Sequence, residues 1–194
     1  MKARHAMFVK RIYFSGGSAL ELQEFFLRVP GVAAAVLGLL RPEGRPSSAE
    51  EIPGVRVEYD PKKVDISQLM DLFFTVIDPH REWPVQRKSL CGSAGVYYED
   101  GEDQPLVEYH MNFIRNRGKP QAVTDAALTL NDPLERAAFA RPCRAEAGLL
   151  EYFSVLPAAE LAGTEPVSPQ IDLRYLEVLG VICPAEKTHK AERQ

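Results

Sequence analysis

Short apolar runs alternate with amphipathic stretches along the chain, and their periods predict most of its elements. Residues 7–14 form a β-rich apolar run interrupted by Lys10-Arg11 and read as a first strand. From Ser18 onward, Leu22, Phe25, Phe26 and Val29 fall at i, i+3, i+4 and i+7, one face of a helix that Pro30-Gly31 ends. Residues 32–40, rich in alanine, valine and leucine, predict a buried second strand, and the proline- and glycine-rich residues 41–54 a loop. Residues 55–59 alternate with period two and predict a third strand. Asp65, with Gln68 three positions later, reads as a capping-box variant at the start of a helix. Ile66, Leu69, Met70, Phe73, Phe74 and Ile77 supply that helix's apolar stripe until Asp78-Pro79 stops it.

Residues 80–92 are irregular and polar and carry the only tryptophan, Trp83. A fourth strand is predicted over 93–98, an acidic turn over 99–103, a third helix over 106–115 and another strand over 122–130. Beyond Leu130 the texture changes: a helix is expected from Asn131 through Phe139, broken by Pro142. Leu149, Leu150, Tyr152 and Phe153 offer a second short apolar face. An extended loop is expected over 156–169, a last helix over 171–182 and a frayed charged end. The leading order β-α-β-β-α-β matches the split βαβ arrangement of ferredoxin-like α+β domains, a two-layer sandwich here followed by an elaborated C-terminal region. Residues 1–130 are expected to form the core, and residues 131–194 an elaboration packed on the same domain.

The stretch Phe14-Ser15-Gly16-Gly17-Ser18-Ala19-Leu20-Glu21 is the candidate site. A strand runs into two glycines and then at once into a helix, a place where backbone N–H groups can point at a ligand. Ser18 is the side chain that such a turn would offer. Composition narrows the chemistry around it. The formal charge of −4 supplies no basic field for nucleic acid, and no apolar run approaches the ~20 residues that span a bilayer. The basic residues 1–5 precede no apolar segment of the kind a secretory signal requires, so a cytoplasmic location is expected. Cys91, Cys143 and Cys183 form no C-x-x-C pair, and His5, His80, His110 and His189 show no metal-ligand spacing. Neither a metal nor a cofactor is expected, and His110, on the apolar side of the third helix, reads as structural.

These pieces resemble a family. Phe14-Ser15-Gly16-Gly17 stands where peptide methionine sulfoxide reductase A has Phe-Ala-Gly-Gly, and Val29-Pro30-Gly31-Val32 matches its Val-Pro-Gly-Val. Val55-Arg56-Val57-Glu58-Tyr59-Asp60-Pro61 is similar to its Val-Arg-Val-Thr-Tyr-Asp-Pro, and Leu72-Phe73-Phe74 with Asp78-Pro79 to its Leu-Phe-Trp and Asp-Pro. Gly118-Lys119-Pro120-Gln121-Ala122-Val123-Thr124-Asp125 resembles its Gly-Lys-Pro-Ile-Val-Thr-Glu. The family's hallmark, Gly-Cys-Phe-Trp-Gly, corresponds to Gly17-Ser18-Ala19-Leu20-Glu21.

The resemblance implies an enzyme in which a thiolate attacks the sulfoxide sulfur, a carboxylate protonates its oxygen and two aromatics cradle the methyl group. A cysteine at a helix N-terminus suits that role, because its pKa can fall to about 3.5–7.5 there. A serine hydroxyl stays protonated unless a base takes its proton, and it has no route to the disulfide that completes the reduction. Ala19 and Leu20 replace the aromatic pair, and Pro53 falls where the family has its acid, unless a loop shift brings in Glu50 or Glu51. The family's Asp-Ile-Gly-Thr-Gln-Tyr-Arg-Ser segment shortens to a stretch ending Ser89-Leu90-Cys91-Gly92-Ser93, which puts Cys91 near the missing tyrosine.

The expectation is therefore a reductase-A-like protein without the standard thiol chemistry, repurposed as an enzyme for a small polar or sulfur-containing ligand. Ser18, Cys91 and Glu51 are its candidate catalytic groups. Gly16, Gly17, Ser18, Ala19, Leu20, His80 and Trp83 are its candidate ligand-binding residues. Two alternatives stay open: a non-catalytic binding or regulatory protein for sulfoxide, thioether or peptide ligands, and a residual redox enzyme using Cys91. The expected partner is a small molecule or peptide, with no nucleic acid and no membrane, on a monomer or homodimer.

Overall fold

A computed structural model describes residues 8–117, 143–167 and 169–185. Its elements follow in the order β1 (Lys10–Ser18), α1 (Ala19–Leu27), β2 (Val32–Pro42), β3 (Ile52–Tyr59), α2 (Ile66–Val76), β4 (Cys91–Tyr98), a 3₁₀ turn (Gly101–Asp103) and α3 (Gln104–Arg117). Then come β5 (Glu146–Val155), α4 (Ala158–Ala162) and α5 (Leu173–Val178). The architecture is a mixed α+β fold. Among the described residues five strands close in the order β1-β3-β2-β5-β4, with β4 pairing back onto β1. Every described pairing is antiparallel except β4 with β5.

Strand alternation sorts the side chains onto two faces. Ile12 and Phe14 on β1, Val55 and Val57 on β3 and Val96 on β4 are fully buried in the larger core, beneath the helices. There Phe14 stacks on Phe26 of α1 at 4.6 Å between ring centroids and tilts against Phe73 of α2 at 4.8 Å. Burying an aromatic or leucine of this kind contributes about 1.5–3 kcal/mol, so Leu22, Phe25 and Phe26 hold α1 far more firmly than helix propensity does. The capping box read from the sequence is present: the Gln68 N–H donates to Asp65 Oδ1 at 2.8 Å, and the Asp65 N–H donates to Gln68 Oε1 at 3.0 Å.

The opposite face fills the inside of the closed sheet with Tyr13, Leu40, Ile52, Tyr97 and Leu150, and Phe153 packs against them. The Tyr13 hydroxyl donates to Glu99 at 2.7 Å, and the Tyr97 hydroxyl reaches Glu146 at 3.4 Å. Burial, then these carboxylates, pushes both phenols well above the ordinary tyrosine range.

Several elements differ from their sequence reading. β1 runs through both glycines to Ser18, and β2 and β3 pair as far as Leu40↔Ile52, which shortens the expected loop between them. β4 begins at Cys91 rather than Ser93, because Cys91 pairs with Ser18. Residues 149–153, read as a short apolar face, are strand, because β5 finds edges to pair with on both β2 and β4. The loop expected over 156–169 contains α4, and the last helix is confined to Leu173–Val178, ending at Gly180 with φ 72°. The strand expected over 122–130 and the helix starting at Asn131 lie outside the described residues.

Candidate functional site

The two glycines at the end of β1 do what only glycine does easily. Gly17 has φ 60°, and a Cβ there would sit 3.2 Å from the ring edge of Trp83. Gly16 has φ 150° and lies against Ile77 and Phe73 of the core. The chain can then turn sharply from strand to helix while staying buried.

Ser18 follows as the N-cap of α1, in extended conformation at φ −72° and ψ 119°. Its hydroxyl accepts the Glu21 N–H at 3.4 Å, and the Ala19 N–H donates to the Leu90 carbonyl at 2.9 Å. The sequence suggests a turn that offers Ser18 and its neighbouring N–H groups outward. In the structure Gly16, Gly17, Ser18 and Ala19 are all buried, and among residues 16–20 only Leu20 is exposed. The cause is local, since helix capping and the β4 edge supply the partners that a ligand would otherwise supply.

Cys91 is brought to the same place. It is the β-ladder partner of Ser18, exchanges both backbone hydrogen bonds with Gln86 at 2.9 Å, and its half-buried thiol lies 3.6 Å from the Ser89 carbonyl. Leu90, with φ 51°, makes the tight approach into the strand. Trp83 also joins the site: its indole N–H donates to the Asp78 carbonyl at 3.1 Å, and the Arg81 guanidinium lies 4.1 Å from the ring centroid. The ring is thus held on one side by a cation and presents its edge to Gly17 on the other.

Glu51 and His80 are placed elsewhere. The Glu51 carboxylate accepts from the Tyr152 hydroxyl at 2.7 Å, and that hydroxyl accepts from Arg41 Nε at 3.1 Å, so Glu51 ties the β2–β3 loop to β5. Pro53 is the residue of this segment that approaches the turn, with its carbonyl against Gly92, the ladder partner of Gly17. His80 lines a cleft of about 280 Å³ with Phe74, Pro79 and Ile114, between α2 and α3. Its Nδ1 is buried without a hydrogen-bond partner among the described residues. His110 pairs with Asp71 of α2 at 2.9 Å, in keeping with a structural role.

Two residues outside the expected catalytic and ligand-binding groups complete the site. The Glu21 carboxylate, in the first turn of α1, accepts the backbone N–H of Gln170 at 2.9 and 3.2 Å. The Gln170 side-chain oxygen would lie 3.4 Å from a Cβ on Gly17, beside the Trp83 ring. Glu21, Glu24 and residues 169–174 line a cleft of about 620 Å³ along this edge. The Ser-x-x-Glu spacing of Ser18 and Glu21 is a sequence signal for a carboxylate near a helix start. Nothing local signals Gln170, which is 149 residues away. Among the described residues no group of three or more His, Cys, Asp or Glu is placed to hold a metal ion.

Comparison with known proteins identifies relatives in sequence and in fold. The family described as peptide methionine sulfoxide reductase matches residues 10–131. The peptide methionine sulfoxide reductase MsrA of Mycoplasma pneumoniae is 30% identical over 130 residues, covering 62% of this chain and 83% of that protein. The protein of the same name from Mycoplasma genitalium is 28% identical over 122 residues, covering 58% of this chain and 78% of that protein. In fold, the chain is similar to Mxr1 from Saccharomyces cerevisiae in an unusual oxidized form, with a TM-score of 0.52 and 12% identity over 79% of this chain and 80% of that one. The reduced form of Mxr1 gives a TM-score of 0.51 with 14% identity, covering 78% of this chain and 82% of that one.

Proposed function

The chain belongs to the peptide methionine sulfoxide reductase family, and from that premise we propose that it is a member without reductase turnover, which binds a peptide or small sulfur-containing ligand at the Gly17 turn. The observation that carries this is the state of Ser18. Its hydroxyl is the cap of α1, and the bond it makes is to a backbone N–H rather than to a carboxylate or imidazole that could take its proton. A serine used in this way holds the helix and leaves Trp83, Gly17 and the first turn of α1 as recognition surface.

A second reading, a repurposed enzyme with Cys91 as its nucleophile, is favoured by one observation: Cys91 lies directly across the ladder from Ser18. In either case we read the order β4-β1-β3-β2, with α1 and α2 as its crossovers, as the ferredoxin-like split βαβ arrangement. We read residues 131–194 as an elaboration of the same domain, supported by β5 lying in the same sheet as β2 and β4. The three free cysteines fit the cytoplasmic placement that goes with it.

Reduction of free and peptide-bound methionine sulfoxide with dithiothreitol as electron donor tests the proposal. No turnover is expected, and steady product formation would overturn it. Titration of a methionine sulfoxide peptide by calorimetry is expected to show binding without turnover. Turnover of any sulfur-containing ligand that iodoacetamide abolishes, and that Cys91→Ser also abolishes, would decide for the second reading.

A further inference from the structure

The segment Pro169-Gln170-Ile171-Asp172 crosses the mouth of the site as an anchored strap. Upstream, the Glu165 N–H donates to the Lys88 carbonyl at 2.9 Å. At its centre Ile171 is buried in the main core, while the Gln170 N–H is held by both oxygens of the Glu21 carboxylate. Downstream, the buried Arg28 donates to the Cys183 carbonyl at 2.7 Å and pairs with Glu177, and the Cys183 N–H returns to the Arg28 carbonyl at 2.8 Å. The strap therefore has one side chain driven into the core, one main-chain donor on a charged acceptor, and fixed ends.

Between those anchors, the Gln170 side-chain oxygen reaches Gly17, 3.4 Å from where a Cβ would stand, and the Trp83 ring edge approaches the same point at 3.2 Å. Its chemistry is specific. Two methylenes lead to a centre bearing one strongly polarised oxygen and one small third substituent. Methionine sulfoxide has the same plan, with two methylenes, then sulfur carrying one oxygen and a methyl group.

We infer that Gln170 is a built-in stand-in for a sulfoxide side chain, so that the strap is an intramolecular peptide ligand occupying the site and excluding others. The inference rests on the proposed reading of the Gly17 turn as a binding site, and it names that site's regulation. The ligand that the strap excludes is an extended peptide carrying methionine sulfoxide. Such a peptide can replace the whole strap contact, main-chain donor and side-chain oxygen together, whereas a free small sulfoxide replaces only the second. External ligand then binds only to the fraction of molecules in which Gln170 has left, and its apparent affinity falls by that fraction.

Trp83 is the only tryptophan, so its emission reports on the site directly. The experiment titrates an acetylated, amidated Pro-methionine sulfoxide-Ile tripeptide into the wild-type chain and into Gln170→Ala, following Trp83 fluorescence. Gln170 is exposed, and the variant keeps the main-chain donor and Ile171, so the fold is not at stake. Gln170→Ala is expected to bind the tripeptide at least about tenfold more tightly than the wild type. The Pro-Met-Ile thioether tripeptide is expected to gain much less from the same substitution. Equal, measurable affinities in the two proteins would overturn the stand-in while leaving the binding site in place. Absence of binding to both would overturn the site and the stand-in together.

Discussion

Ser18 and Cys91 face each other as direct partners on the antiparallel β1–β4 ladder, so the serine that caps α1 has a thiol-bearing residue opposite it. Antiparallel partners have Cα atoms about 4.5–5.5 Å apart, within the span a disulfide bridges. Ser18→Cys is accordingly expected to form an 18–91 disulfide when treated with diamide, seen as a loss of two hydrogens by intact mass. The double variant with Cys91→Ala should show no such loss. A Ser18→Cys variant that stays fully reduced under diamide would mean that the two side chains do not meet.

The capping role of Ser18 has its own signature. Removing the hydroxyl in Ser18→Ala leaves the Glu21 N–H without its side-chain acceptor and is expected to cost about 1 kcal/mol in urea unfolding, with Ser18→Gly costing only a few tenths. A neutral Ser18→Ala would show that the hydroxyl is free for other chemistry.

Gly17→Ala combines two penalties. A φ of 60° costs a non-glycine residue roughly 1–2 kcal/mol, and the added methyl would press on Trp83 at 3.2 Å. The expected result is a stability loss of about 1–3 kcal/mol together with a shift in Trp83 emission. A stability loss with unchanged emission would place Trp83 away from the turn.

The buried phenols predict how stability changes in alkali. Burial raises the pKa of Tyr97, with Glu146 adding to it, and burial likewise raises Tyr13 and Tyr59. A raised folded-state value means that the folded chain keeps protons which the unfolded chain releases at about pH 10. The contribution is complete below that pH and is lost as pH climbs toward the folded values. Urea midpoints are therefore expected to fall steadily above about pH 10, and Tyr97→Phe to flatten part of that fall.

Arg28 anchors the C-terminal segment from the far end of α1. Its buried guanidinium holds the Cys183 carbonyl and Glu177, and hydrogen bonds to charged groups are worth about 1.5–3 kcal/mol each. Arg28→Ala is expected to speed trypsin and chymotrypsin cleavage within residues 173–185 severalfold before any global unfolding. Unchanged cleavage would show that Ile171 and Leu176 alone hold the segment.

Much of the fold is legible because its signals are local. The capping box of Asp65 and Gln68, the stripe of α1 and the alternation in 55–59 each report a period or a cap that holds in any surroundings. β5 is the instructive exception. Leu150 and Phe153, three residues apart, both pack into the barrel interior, a spacing that reads as helix. The ladder explains it: Arg41 pairs with Tyr152 and Pro42 with Leu150, so Glu151 is an extra residue at a bulge that resets the alternation. Only the neighbouring strand reveals such an offset.

The chain by itself determined its strand and helix periods, the glycine turn, the serine that follows it and, through their order, the family. Tertiary structure decided what those residues face. It set Cys91 across from Ser18, drew Glu51 toward Tyr152 and His80 into a separate cleft, and laid Gln170 over Gly17. The physical reason is separation along the chain. Caps and periodic stripes are made between residues a few positions apart, whereas the contact between Gln170 and Glu21 closes a loop of 149 residues and exists only once the core has fixed both ends.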